Sequence, residues 1–217
     1  MTHSVTKPMR SDAVRSRKLL LEAAAAAFAE QGVEVSISEI AERAGIGKGT
    51  VFRHFSTKED LLAAVVSANQ TLLVTIGERL ARTAAPADAL LEFMAAAIEL
   101  QVRDRAFCQV AHGEARDHPD VRNGLAALTV VTATLTDRAR AHGAIRQDIT
   151  GQDVMLLMSG IFQTASPLLP TQPQLWRRYL RLVFDGMQAD TPALPGPPAA
   201  PQSSWQQAEL AGSPITG

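Results

Sequence analysis

Residues 36–58 read SISEIAERAGIGKGTVFRHFSTK, and the order of residue types in this stretch decides the fold. Ser36-Ile37-Ser38-Glu39 is a capping box. The serine hydroxyl can accept from the backbone N–H of Glu39, and the glutamate can reach back to the N–H of Ser36. A helix should therefore begin near 37. Its inward face carries Ile40, Ala41 and Ala44, and the small Ala41 allows a second helix to cross closely. Gly45 can take positive φ and turn the chain sharply after Ala44. Ile46 and Val51 then cover the inner side of a short segment from Lys48 to Phe55, where Phe55 is the core anchor. A second box, Ser56-Thr57-Lys58-Glu59, marks another helix from about 57. Two helices joined by a sharp glycine turn form a helix-turn-helix, whose second helix enters a DNA major groove.

The outer side of that second helix is small and basic: Gly47, Lys48, Gly49, Thr50, Arg53 and His54. Small residues let the backbone approach phosphates, and N–H groups at a helix start favour anions. Lys48 adds a charge and Thr50 a hydroxyl. Arg53 can reach a guanine edge or a phosphate. Lys58, in the first turn of the next helix, opposes the helix dipole unless an anion lies between them, and a DNA phosphate would satisfy both. Upstream, Arg15 and Arg17 suit either an arm reaching a phosphate or minor groove, or a solvated helix start.

Outward from this motif the chain of 217 residues is helical in pattern. Residues 15–31 place Leu20, Ala24, Ala27 and Phe28 on one face, with Gly32 as a stop. Further helices are expected from 57 to about 83, 86–103, 104–115, and from Pro119 to about 141, where Gly143 ends the last. Val154, Leu157, Met158, Ile161 and Phe162 form an i, i+3, i+4, i+7, i+8 stripe. Leu175, Tyr179, Leu182 and Val183 repeat it to about 188. The expected class is all-α, an N-terminal three-helix helix-turn-helix domain joined to a C-terminal bundle of about six helices. The expected divisions are a flexible basic arm at 1–14, DNA binding at 15–60, ligand binding and dimerisation at 61–189, and a disordered Pro-rich tail at 190–217.

Charge narrows the function. The net charge is -1, which excludes coating nucleic acid by bulk charge. The first 18 residues hold five basic side chains and one acid, and residues 1–60 hold nine and eight, so affinity must be local. A single cysteine, Cys108, rules out an internal disulfide framework and a four-Cys zinc site. No uncharged apolar run approaches the ~20 residues of a membrane span, and the polar start is no secretory signal. A cytoplasmic protein with no membrane, metal or cofactor is expected.

The run Ile40-Ala41, Ala44-Gly45-Ile46-Gly47-Lys48-Gly49-Thr50-Val51-Phe52-Arg53-His54-Phe55 and Lys58-Glu59-Asp60-Leu61 resembles the DNA-binding domain of TetR/AcrR transcriptional regulators. The likeness covers about residues 15–66. Gly143-Ala144-Ile145-Arg146-Gln147-Asp148-Ile149 also resembles a link between late helices of that family. The resemblance implies a homodimer on a palindromic double-stranded operator, with a ligand pocket in each C-terminal domain. It implies DNA contacts from Ser36, Lys48, Thr50, His54 and Lys58. Phe52 stands where the family often has Tyr, so it can pack on sugars or a thymine methyl but cannot donate to a phosphate. The last two helices would pair between subunits through Val154, Leu157, Ile161, Trp176, Tyr179 and Val183. Phe93, Phe107, Met155, Met158 and Phe162 are candidates to line a pocket for a mostly apolar small molecule.

Other readings carry less. His112, Glu114, Asp117 and His118 could suggest a metal site, but His112 and Glu114 face different directions on a helix. Cys108 beside Phe107 reads as a small buried apolar residue rather than a sensor thiol. An enzyme or carrier lacks a phosphate loop, paired carboxylates or a Ser/His/Asp set. A DNA-binding regulator controlled by a protein partner, with the Pro-rich tail as its contact, is the alternative to a ligand-responsive repressor.

Overall fold

The structure is a computed structural model and describes residues 8–103, 117–188 and 194–198. These form eight α-helices, with no strand among the described residues. They are α1 (Pro8–Gln31), α2 (Ile37–Arg43), α3 (Lys48–His54), α4 (Lys58–Thr83), α5 (Pro86–Arg103), α6 (Pro119–Ala141), α7 (Gly151–Ala165) and α8 (Leu175–Gly186). Short 3-10 turns lie at Gly32–Glu34 and Ser166–Leu168. The all-helical class is as expected. The helix expected over 104–115 and most of the Pro-rich tail lie outside the described residues, together with Cys108, His112 and Glu114.

The chain divides into two compact units, Met1–Leu72 with Leu100–Leu125, and Leu73–Glu99 with Ala126–Gly217. Helices α4, α5 and α6 each contribute residues to both.

The first unit is built on the inward face of α1. Leu20, Ala24, Ala27 and Phe28 are buried with Ile40 and Ala41 of α2, Val51 and Phe55 at α3, and Leu61, Val65 and Val66 of α4. Each large side chain hidden this way contributes roughly 1.5–3 kcal/mol. Gly32 takes a φ of 77° and ends α1 as expected. Arg43 of α2 grips Glu30 of α1 through two hydrogen bonds, at 2.7 and 2.5 Å. Deeper in, the buried Gln70 donates from Nε2 to the Val121 carbonyl at 3.1 Å. Gly124 makes room for it, since a Cβ there would lie 1.9 Å from Gln70 Oε1.

Local chemistry set one helix start away from its expected position, within the stretch 1–14 expected as a flexible arm, and capped two others differently from what the sequence suggests. α1 begins at Pro8 rather than 15, with proline at the first helical position, where its missing N–H costs nothing. α4 is capped by Thr57 and Asp60, not Ser56 and Glu59. The Thr57 N–H donates to Asp60 Oδ2 and the Asp60 N–H to Thr57 Oγ1, both at 3.0 Å. Both pairs fit the four-residue pattern, and His118 beside Asp60 favours the second. α7 begins at Gly151 behind a further box, Thr150 with Asp153, that the apolar stripe does not reveal. By length and composition α4 would also pass for a membrane span, unlike the reading of its sequence, but Leu61, Leu62, Val65 and Val66 are buried in the protein.

In the second unit, Leu90, Phe93, Met94 and Ile98 of α5 are fully buried, as are Leu135 and Ala139 of α6 and Val154 of α7. Glycines set the closest approaches. A Cβ on Gly77 would meet Val131 at 2.7 Å and Phe93 at 3.0 Å, and one on Gly151 would meet the Ala133 Cα at 2.8 Å. The α6–α7 link turns at Gly143, with a φ of 66°. It buries Ile145 and Ile149 and ties its backbone to α8 through the Arg146 N–H and the Met187 carbonyl, at 2.9 Å. Arg146, nearly buried, pairs with Asp148 through two bonds at 2.5 and 2.8 Å. The same carboxylate accepts the N–H of Leu194 at 2.9 Å. The guanidinium first, and then that N–H, hold the Asp148 carboxyl far below the ordinary range.

Two outcomes follow. Gly151→Ala should lower stability by about 1–3 kcal/mol through overpacking against backbone that cannot swing aside, read from the denaturant midpoint. Because Asp148 titrates below its unfolded value, its contribution is complete at neutral pH and is lost on acidification below the ordinary aspartate range of about 4. Asp148→Asn should therefore be less stable at about pH 7 and lose less on going to about pH 3 than the parent does. An unchanged difference between the two pH values would contradict this.

Candidate nucleic-acid interface

α2 starts as its sequence dictates. The Ser36 N–H donates to Glu39 Oε2 at 2.9 Å, and the Glu39 N–H donates to Ser36 Oγ at 3.2 Å. The Ser36 hydroxyl also donates to Glu39, at 2.6 Å. Ser36 was expected at DNA, yet its one O–H proton already has an acceptor. The Ser36 side chain first, then its backbone, hold the Glu39 carboxyl below its usual range, and the charge of Lys58 adds to this.

The turn after α2 is a Schellman motif. The Gly45 N–H donates to the Glu42 carbonyl and the Ile46 N–H to the Ala41 carbonyl, each at 3.0 Å. Gly45 has a φ of 67°, a conformation in which a side chain is strained. Ile46 packs on the core that holds Ala41, the apolar contact that accompanies this motif.

α3 then starts at Lys48 with Gly47 as an N-cap that supplies no side chain. The Thr50 N–H donates to the Gly47 carbonyl at 2.8 Å. Val51, at 1% exposure, and Phe55, at 6%, anchor the inner side. Outward lie Lys48, Gly49, Phe52 and Arg53, all exposed, with Thr50 and His54 half-buried. A Cβ at Gly47 or Gly49 would touch nothing within 4 Å. The ion pairs described in this unit are Lys18–Glu22, Arg43–Glu30 and His118–Asp60. Lys48 and Arg53 have no such carboxylate among the described residues. The arrangement presents two cations, a hydroxyl, an imidazole and an apolar ring on a short, small-surfaced helix.

Two contacts here join residues far apart in sequence, with no local pattern to announce them. Arg17 of α1 places its guanidinium 4.7 Å from the centre of the Phe55 ring. His118, just before α6, holds Nε2 3.5 Å from Asp60 Oδ1 while its Nδ1 accepts the Asp120 N–H at 3.2 Å. Burial pushes the Asp60 carboxyl up, but Thr57 and His118 together outweigh it and leave it below its usual value. Asp117 is exposed, and no cluster of three metal-ligating side chains occurs among the described residues.

The remaining expected sites lie in the second unit. Phe93, Met158 and Phe162 are buried and Met155 is half-buried, with the Thr129 hydroxyl 3.7 Å from the Met155 sulfur. Phe107 lies outside the described residues. Of the six residues expected between subunits, Val154, Ile161 and Trp176 are buried within their own chain and have no surface left to offer. Leu157, Tyr179 and Val183 are half-buried. Leu182, absent from that set, is 68% exposed on α8. The apolar stripe of α7 is directed largely at its own unit's core, whereas the stripe expected on α8 is not: Leu175, Tyr179 and Val183 are half-buried and Leu182 exposed, and α8 instead buries Trp176, Leu180 and Phe184.

Residues 20–65 match the profile of the bacterial regulatory proteins of the tetR family. Residues 85–189 match the C-terminal domain of SbtR-like transcriptional regulators. An HTH-type transcriptional regulator of Staphylococcus aureus is 41% identical over 68 residues, which is 31% of this chain and 37% of that protein. The chain thus spans little more than a third of the length of these curated relatives. A TetR transcriptional regulator from Streptomyces coelicolor is 30% identical, with a TM-score of 0.62 over 81% of this chain and 99% of that one. FadR from Bacillus subtilis, solved in complex with stearoyl-CoA, shares the fold at 18% identity and a TM-score of 0.61, over 79% of this chain and 99% of that one. A glycine-turned helix pair at one end and a matching helical C-terminal domain at the other agree on one conclusion, that the chain belongs to the TetR family of transcriptional regulators.

Proposed function

We propose that the protein is a dimeric, ligand-responsive repressor that binds a palindromic DNA operator in the cytoplasm and is released by a small, mostly apolar molecule. The observation that carries this reading is α3, anchored by Val51 and Phe55 and outwardly lined by cations with no carboxylate partner among the described residues. Residues 15–60 serve as the DNA-binding domain, and 61–189 bind ligand and a second subunit. Lys48, Thr50 and Lys58 bind phosphates, and His54 adds a donor at the end of the helix. Arg53 reads a base edge. Phe52, 46% exposed, packs on sugar or a thymine methyl. Gly47 and Gly49 let the backbone come close. Ser36 acts chiefly as the α2 cap.

Two copies place two recognition helices about one DNA turn (~34 Å) apart. Pairing uses the parts of α7 and α8 that remain uncovered, with Leu157, Tyr179 and Val183 around the exposed Leu182. The ligand is held in the second unit near Phe93, Met155, Met158 and Phe162. Their apolar character, with a flexible thioether at two positions, suits an apolar ligand of variable shape. The ligand releases DNA only by binding better to a dimer whose recognition helices are differently spaced. The continuous helix α4, which starts beside the DNA-facing groups and ends in the second unit, carries that change.

A mobility shift on the DNA upstream of its own coding region, over several salt concentrations, tests the reading. Lys48→Ala should weaken binding to all sequences alike, whereas Arg53→Ala should relax preference at one base pair by about 1–3 kcal/mol. Gly49→Ala has room within the protein and gains helix propensity, so it should fold at least as stably yet bind DNA more weakly. Full affinity in all three variants would overturn the interface. Leu182→Glu should shift the protein towards monomer in sedimentation and weaken operator binding with it. A dimer of unchanged stability would place the subunit interface elsewhere.

A further inference from the structure

Arg17 combines three properties in one place. Its guanidinium is stacked on Phe55, the residue that directly follows the recognition helix. Phe55 is itself fixed, with its ring almost wholly buried and its N–H donating to the Val51 carbonyl at 2.9 Å. Arg17 is exposed and has no carboxylate partner among the described residues, although Lys18 beside it reaches Glu22 and Arg43 reaches Glu30. Stacking on a ring face leaves the charge intact and the edge N–H groups of the planar guanidinium available. It also removes much of the freedom that a long exposed side chain would otherwise lose on binding.

An α-helix with its side chains is about 10–12 Å across, and the major groove is about 12 Å wide. A helix seated in that groove is flanked by phosphates along its length, including the end where α3 finishes at His54. We propose that Arg17 is a DNA-phosphate contact, held ready by its stack on Phe55 at the C-terminal end of α3. Lys48 serves the N-terminal end, so the two cations fix the seating of the helix from both ends. The contact carries no base information, because phosphates are alike in every sequence. This inference rests on the DNA-binding reading above and adds a group from outside the helix-turn-helix.

The test uses the full chain and two probes, a duplex selected by the wild type from a random-sequence pool and a scrambled duplex of the same length. Affinity is measured across a salt series for the wild type, Arg17→Ala, Arg17→Lys and Lys48→Ala. Each lost phosphate contact should lower the slope of log affinity against log salt by about 0.9. Arg17→Ala should show that loss once per subunit and weaken both probes by the same factor, while Arg17→Lys should keep most of the slope. If Arg17 only shields Phe55, Arg17→Ala will lower the melting temperature and leave the slope unchanged, which overturns the proposal. Arg17→Gln, which keeps a planar head over the ring, gives the same reading if the alanine variant folds poorly. A reduced slope for Lys48→Ala beside an unchanged one for Arg17→Ala would sink this inference alone. A wild type with no salt slope would sink the DNA-binding reading itself.

Discussion

Everything at the DNA-facing end depends on the backbone at Gly45. Its φ of 67° and the bond from Ile46 to the Ala41 carbonyl close α2 and aim α3. Once the chain turns there, Val51 and Phe55 must point into the core built by Leu20, Phe28 and Ile40. With those two directed inward, helical periodicity leaves Lys48, Gly49, Phe52 and Arg53 no direction but outward. The exposed face of α3 is thus a by-product of a packing requirement. A side chain at position 45 would strain the turn by about 1–2 kcal/mol, a large fraction of the net stability of a small domain.

The interface is sparse in charge, and placement compensates. The first 60 residues carry nine basic and eight acidic side chains. Several acids are occupied by caps and bridges: Glu39 by Ser36, Glu30 by Arg43, Asp60 by Thr57 and His118. Glu30 has its charge offset by Arg43, and the caps hold Glu39 and Asp60 at the starts of α2 and α4, so none of these carboxylates pairs with the cations on α3. A near-neutral domain can therefore present a locally positive face, at the cost of weak attraction at long range.

Local signals made much of this readable from the sequence, and distance hid the rest. The ends of α2, α5 and α6 follow from a capping box, from prolines at first helical positions and from glycines that take positive φ, all within a few residues of one another. The cap of α4 was ambiguous because Ser56–Glu59 and Thr57–Asp60 fit the same pattern, and only His118, far along the chain, separates them. The stack of Arg17 on Phe55 leaves no periodic trace at all. The stripes on α7 and α8 identify a face that leaves water but not whose surface covers it. For Val154, Ile161 and Trp176 the cover is their own chain, and on α8 the stripe through Leu182 picks the wrong face, because Trp176, Leu180 and Phe184 are the residues buried there.

The bond from the Leu194 N–H to Asp148 has a practical meaning for anyone attaching something to this protein. Residues 194–198 are held at the α6–α7 link, where the buried Arg146 anchors the carboxylate and, through its own N–H, also binds the Met187 carbonyl just after α8. A fluorophore or affinity tag appended there reports on the link, and its span should be measured from Asp148 at roughly 3.3–3.6 Å per extended residue.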